Sequence, residues 1–347
     1  MAITYLANGF NPQVAGDMVA GTLPKKIKFA PIAKIDTTLE AIAGDSITIP
    51  KWGMLAEADE ILEGIAMVPE QMTSTYVTKT IKEWGKAVEI TERAKIASKG
   101  DPYGEGLRQV SLSIASKADT DCYQALLEAT AVYNPGTAVT IGYENIVKAN
   151  ALFGDESDAS LAKVMFIHPD QETTLLLDSN FISNDKYNAD VIMNGHIGKV
   201  AGCEIVKSKK VLKANYDLST SGTSGAVKIV TSGATSGQVD IADVYGIWDA
   251  TNKKAVAPAV DLYVTAKDNT MYYNPIVVVD AQDPDEDPNA DNFGVDMPAV
   301  TIYLKKSAQV KVDEDILKRT TVIAGNEYGL AALTNDSKVV LACYKNA

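Results

Sequence analysis

A chain of 347 residues with 32 Lys and Arg against 45 Asp and Glu, a formal charge of −13, has length for two or three packed domains and the wrong charge for coating phosphate. No apolar run approaches the roughly 20 residues a bilayer requires, and the N-terminus lacks the basic start and apolar stretch of a secretory signal, so a cytoplasm-made chain is expected. Three scattered cysteines (Cys122, Cys203, Cys343) and two histidines (His168, His196) argue against a disulfide framework, and they leave little for a zinc site or histidine-based catalysis.

Residues 1–42 show no sustained period. Prolines at 12 and 24 break the segment, and the basic cluster Lys25, Lys26 and Lys28 follows. This predicts an extended arm that lies against something else. From Gly44 to Pro50 the residues alternate as a strand, and a second alternation over 74–82 continues past Gly85 to Ile90, where Gly85 is expected to mark a bulge. Between them lies an acidic tip with Glu57, Asp59, Glu60 and Glu63. The connection is too long for a tight hairpin turn, so the pair reads as a long ribbon with a projecting end. Two strands cannot bury a face, and such a ribbon needs a partner to lie on.

Asp101 suits an N-cap and Pro102 a first helical position. Leu107, Val110, Ser111, Ile114, Ala118, Cys122 and Leu126 then follow at helical spacing, one apolar stripe from about Glu105 to Ala129. Arg108, Lys117, Asp119, Asp121 and Glu128 are expected on the solvent face, and Asn134-Pro135-Gly136 is read as the stop. Helical spacing resumes over 143–153. A buried strand is predicted over 163–168, a helix over 169–177 and a strand over 203–208, an order that suggests a mixed α/β domain. Residues 215–239 are rich in Ser, Thr and Gly, and short strands follow at 244–248, 261–265 and 276–279. The segment 214–299 therefore reads as an all-β insertion closed by an acidic loop. Strand-like runs at 299–304, 309–314, 319–323, 328–332 and 339–342 complete the chain.

The search for chemistry yields little. His168 reads as a strand-end residue whose side chain is sent away from Asp170 by the intervening proline, and His196 reads as an exposed turn residue. Cys203 alternates inward as a small hydrophobe. Asp285, Asp287, Asn289, Asp291 and Asp296 have the spacing of a calcium loop, but Ala290 replaces the required glycine and no helices flank it, which favours a solvated acidic turn.

The order of several runs resembles the major capsid proteins of tailed bacteriophages with the Hong Kong 97-type fold. They are Gly44-Asp45-Ser46-Ile47-Thr48-Ile49-Pro50-Lys51-Trp52-Gly53, Val68-Pro69, residues 78–91, Gly100-Asp101-Pro102, residues 197–202 and Lys311-Val312-Asp313-Glu314-Asp315. The resemblance implies an α+β fold: an N-terminal arm (1–42), an extended loop (43–92), a peripheral domain with a spine helix (93–135 and 300–333) and an axial domain (136–213 and 334–347). The β-rich insertion (214–299) lies outside the common core. Implied assembly contacts are Lys25, Lys26 and Lys28 on the arm, Lys51 and Trp52 in the loop, and Glu57, Glu60 and Glu63 at its tip.

The implied function is structural and not enzymatic, with no cofactor. Homo-hexamers and homo-pentamers would form an icosahedral shell around DNA, held by enclosure without sequence-specific binding. Assembly would take place in the host bacterial cytoplasm, with a portal and decoration proteins as partners and either a separate scaffolding protein or a chain already in its mature form. Some members crosslink a loop Lys to a neighbour's Asn, but nothing in the context of Lys51, Asn326 or Asn335 singles them out. A nanocompartment shell enclosing an enzyme, and a carbohydrate-binding virion or tail protein built on the Ser/Thr/Gly-rich segment, are the alternative readings. The charge pattern suggests that the basic arm meets acidic loops between subunits, a contact that salt would weaken.

Overall fold

The computed structural model describes residues 27–40, 44–52, 69, 71–72, 74–97, 101–134, 139–154, 162–178, 198–279 and 298–345. In chain order its first elements are β1 (Lys34–Asp36), β2 (Ser46–Trp52), β3 (Ser74–Thr80), β4 (Lys82–Thr91), α1 (Glu92–Ala97), α2 (Pro102–Leu126), β5 (Val132–Tyr133) and α3 (Tyr143–Asn150). Next come β6 (Ala162–Ile167), α4 (Pro169–Leu176), β7 (Lys199–Val200), β8 (Cys203–Lys207), β9 (Lys213–Leu218), β10 (Ala226–Val230), β11 (Gln238–Asp240), β12 (Ile247–Asp249) and β13 (Lys254–Val256). The last four strands are β14 (Tyr263–Val279), β15 (Val300–Asp315), β16 (Thr320–Leu333) and β17 (Val339–Lys345).

The two alternating runs near the start form an antiparallel ribbon, with Ser46 opposite Thr80 and Trp52 opposite Ser74. The ribbon is shorter than expected because the chain changes partner at Ile81, whose N–H donates to Asp45 O at 2.8 Å. Beyond it, β4 enters a four-stranded sheet of order β1-β15-β16-β4. Gly85 makes no bulge: it sits in register opposite Asn326, and the ladder from Lys82 to Thr91 runs without a slip. Alternation persists through both strands, so the period carries no mark of the change in partner.

The long helix α2 begins as expected, with the Asp101 carboxylate accepting the Tyr103 N–H at 3.1 Å and Pro102 at the first position. Its 25 residues make a rod of about 38 Å. Leu107, Val110 and Ile114 pack with Ile90 and Ile323 on the four-stranded sheet. Gly325 permits that approach, since a Cβ there would lie 2.8 Å from both Val110 Cγ1 and Ile114 Cδ1. The helix ends at Leu126, close to the end of the expected stripe at about Ala129 and ahead of the Asn134-Pro135-Gly136 break, as Leu126, Leu127 and Ala129 enter the core and Val132–Tyr133 pairs in parallel with β17. Asp119, expected on the solvent face, is fully buried. The arm crosses the helix on that side, and helical periodicity cannot report a neighbour from another part of the chain.

The second sheet has eleven strands, seven of them in the order β13-β12-β9-β14-β6-β8-β7, with β5, β10, β11 and β17 branching from it. Its 17-residue strand β14 explains the architecture. The first part pairs with β9 and β10, and the second with β6 and β17. The boundaries expected at 214 and 299 therefore do not separate sheets: β9 crosses the first, and Met271–Val279 lies at the centre of the sheet built from 162–167 and 339–345. The continuous apolar run Ile276, Val277, Val278 is buried, as a strand covered on both faces requires. The change in composition at 214 marks loops between strands.

The separate runs expected at 299–304 and 309–314 form one strand, β15, with register shifts between Leu304 and Lys306 and between Lys306 and Gln309. The core joins both sheets. Phe29, Cys122, Tyr123, Leu126, Phe166, Val277 and Leu341 belong to one buried cluster, and Tyr123 OH donates to Tyr273 O at 2.9 Å and accepts the Leu212 N–H at 2.7 Å.

Candidate assembly surfaces

Among the described residues, several surfaces expose large apolar side chains, and three of them group more than one. The first is the ribbon. At its root Ile49 is buried with Tyr303 and Ala332, and Lys79 Nζ reaches Glu128 Oε2 at 2.6 Å, fixing the ribbon to the residues just past α2. Farther out Tyr76 is 73% exposed, with Val77 and Met72 also exposed. Lys51 and Trp52 end β2 opposite Thr75 and Ser74.

The second surface is the tip where β15 turns into β16. Ile316 is 87% exposed and Leu317 95%, and Ile96 on α1 is 81% exposed. Beside them lies an open cleft of about 430 Å³ lined by Glu92, Arg93, Ile96, Lys318 and Arg319. The acidic run Asp313, Glu314 and Asp315 leads into the tip, so one turn carries an apolar knob, an acidic flank and a largely basic cleft. The third surface is the face of α3 and the following turn, where Tyr143, Val147 and Leu152 are exposed together.

The arm is held from within the chain. Asp119 Oδ1 accepts N–H bonds from Lys28 at 3.0 Å, Phe29 at 2.7 Å and Ala30 at 3.0 Å. Lys210 Nζ lies 2.9 Å from the other carboxylate oxygen. The ring of Phe29 is fully buried between Tyr123 and Phe166, and β1 then pairs in parallel with β15. Lys28 is the member of the expected arm cluster that falls among the described residues, and its side chain is exposed. Lys25, Lys26, Glu57, Glu60 and Glu63 lie outside the described residues, as do His196 and the candidate calcium loop with Asp285, Asp287, Asn289, Asp291 and Asp296.

The titratable groups take structural roles. His168 follows the last residue of β6, and its side chain turns toward Asp170 and not away. Its Nδ1 accepts the Asp170 N–H at 3.2 Å and lies 3.4 Å from Asp170 Oδ2, because the residue serves as the N-cap of α4. Lys213 Nζ at 2.7 Å, with Tyr272 OH donating at 3.1 Å, holds the Asp170 carboxyl below the usual carboxylate range. Cys203 is buried against Asn150, and burial raises its thiol pKa; burial pushes Cys343 up to about 12. Both thiols are therefore poor nucleophiles. Asn326 Nδ2 donates to Glu83 Oε1 at 3.2 Å, and Asn335 caps the turn at Ser337. Among the described residues no three metal-ligating side chains converge.

Sequence reasoning missed Asp119 and the Ile316-Leu317 tip. The tip did carry a signal: two adjacent large apolar residues between Asp315 and Lys318 in a turn.

The sequence model of a family described as phage capsid protein matches residues 75–340. A major capsid protein of Staphylococcus phage phiMR11 is 30% identical over 230 residues, spanning 66% of this chain and 81% of that protein. The capsid of cyanophage P-SCSP1u superposes with a TM-score of 0.58 at 13% identity, over 99% of this chain and 92% of the other. A chain from Mycobacterium phage Che8 gives 0.57 at 12% identity, over 91% of each. Mixed sheets with few helices, one long helix against a four-stranded sheet and exposed surfaces suited to self-association accord with these matches. The chain belongs to the phage capsid protein family, as a major capsid protein of a tailed phage.

Proposed function

We propose that copies of this chain assemble into hexamers and pentamers that tile an icosahedral shell around the DNA genome. The observation that carries this reading is the β2–β3 ribbon, a two-stranded sheet that exposes Tyr76 and Val77 with nothing among the described residues to cover them. A ribbon of this kind is marginal alone and gains stability by lying across a neighbour. In Hong Kong 97-type terms the ribbon is the extended loop and α2 with the four-stranded sheet is the peripheral domain. The sheet centred on the second half of β14 is the axial domain, and the β-rich part from about 214 to 266 is an added lobe on its edge. Assembly in the host cytoplasm, with scaffolding, portal and decoration proteins as partners, completes the reading.

The mechanism is geometric. Ribbon, tip and arm each make modest contacts, and their sum over many copies makes a durable lattice. Lys25 and Lys26 on the arm and Glu57, Glu60 and Glu63 at the loop tip are proposed to meet between subunits, a contact weakened by salt, whereas Lys28 lies in a cleft against α2. Light scattering and negative-stain micrographs of the purified protein test the whole. Closed shells or capsomers are expected, and a strictly monomeric species at high concentration overturns the reading.

A further inference from the structure

A second cleft, of about 330 Å³, opens where the arm crosses α2 and meets the turn between β8 and β9. Its walls include Lys28 from the arm, Lys207 from the end of β8 and Lys209 and Lys210 from the turn, with Leu112 and Ala115 of α2 also lining it, and no acidic residue among its lining. On a chain of charge −13 that is a local reversal of sign. A recess lined by one sign of charge focuses its field and concentrates counter-ions of the other sign.

The four lysines are not equivalent. Lys210 is committed to buried Asp119 at 2.9 Å and to Ser116 O at 2.6 Å, and Lys207 pairs with Glu172 at 2.7 Å. Lys28 and Lys209 are exposed and make no ion pair among the described residues. The paired lysines hold the cleft in shape and the two unpaired ones leave it with net positive charge. Lysine is a point charge with no fork to read a base, and no aromatic ring lines the cleft for a base to stack on. Those features suit contacts that follow a backbone without reading sequence.

We propose that this cleft binds the phosphodiester backbone of the enclosed DNA, with Lys28 and Lys209 each neutralising one phosphate. This rests on the reading of the chain as a shell around DNA, and it changes one part of the sequence-level expectation. The genome is held by enclosure and also by a weak, sequence-independent contact repeated once per subunit. The acidic remainder of the surface keeps that contact from spreading. The same arm backbone that Asp119 clamps thus sets Lys28 at the mouth of the cleft.

The test uses the full chain, a short random-sequence DNA duplex and fluorescence anisotropy over a series of salt concentrations. The double variant Lys28→Ala/Lys209→Ala should bind more weakly, and its slope of log affinity against log salt should be shallower by about 1.8, from two phosphate contacts at about 0.9 each. Lys209→Ala alone should lose about 0.9. Lys311→Ala, an exposed lysine on β15, should leave the slope unchanged. Both target side chains are exposed and the Asp119 bonds use backbone N–H groups, so melting should not move.

Absence of duplex binding by the parent chain at low salt, or an unchanged slope in the double variant, overturns the proposal. Polyglutamate binding at least as tightly per charge, with the same loss in the double variant, overturns it in favour of an acidic protein segment. Shell formation is scored separately by light scattering, so unaltered assembly with an unaltered slope sinks this inference and leaves the shell reading standing.

Discussion

Asp119 is a charge with no exposure that three consecutive backbone N–H groups and one lysine have claimed. Removing the charge while keeping the shape, as in Asp119→Asn, leaves Lys210 without its partner and weakens three charge-assisted bonds. The expected cost is about 2–4 kcal/mol in urea unfolding, with faster proteolysis ahead of Phe29. A variant as stable and as protease-resistant as the parent would show that Phe29 and the β1–β15 pairing hold the arm without the carboxylate. His168 gives a pH prediction. Burial lowers its pKa below the ordinary imidazole value; Asp170 opposes the shift, and Lys213 and Lys209 add to it. The folded chain then binds this proton less readily than the unfolded chain. Stability present above about pH 6.5 is therefore lost as the pH falls toward the folded value. His168→Asn keeps an acceptor for the helix cap without the titration, so the decline in melting temperature below about pH 6.5 should flatten. An equal decline in the variant would assign it to other groups.

Gly325 sets the distance between α2 and its sheet. Gly325→Ala would press a methyl group against Val110 and Ile114 at 2.8 Å. Both are packed side chains on a long helix, so overpacking should cost about 1–3 kcal/mol in denaturant unfolding. A neutral result would mean that the two tips swing away freely. Elements whose signals are local were legible in the sequence. Asp101-Pro102 announced α2, Pro169 announced α4, and alternation announced the ribbon strands. What escaped was set by partners far along the chain. The burial of Asp119 depends on the arm. The run Ile276–Val278 reads the same whether it belongs to an insertion or to the centre of a sheet, and only its pairing with β6 and β17 decides. The assembly surface was legible in the same uneven way: an unpartnered ribbon follows from strand count, whereas the tip required knowing that β15 and β16 meet in an exposed turn.

At the scale of the whole molecule, the tip offers the cleanest separation of fold from assembly. Leu317 is 95% exposed, so Leu317→Asp should change unfolding free energy by no more than about 0.5 kcal/mol. If the tip meets another copy, the same change should shift sedimentation from shells or capsomers toward single subunits. Unaltered assembly would remove the tip from the contact surface.

The pairing pattern carries a last consequence, for the timing of folding. Strand β4 closes only on residues 320–329, β1 only on 301–303, and the second half of β14 only with 339–345 beside it. Neither sheet can be completed until nearly the whole chain has left the ribosome, and such long-range pairings form slowly. A prematurely terminated chain lacks the strands that close both sheets. It therefore cannot present a finished ribbon base, arm clamp and tip together. The fold in this way rejects truncated subunits before any neighbour can incorporate them, which matters in a lattice where one defective copy would leave a hole.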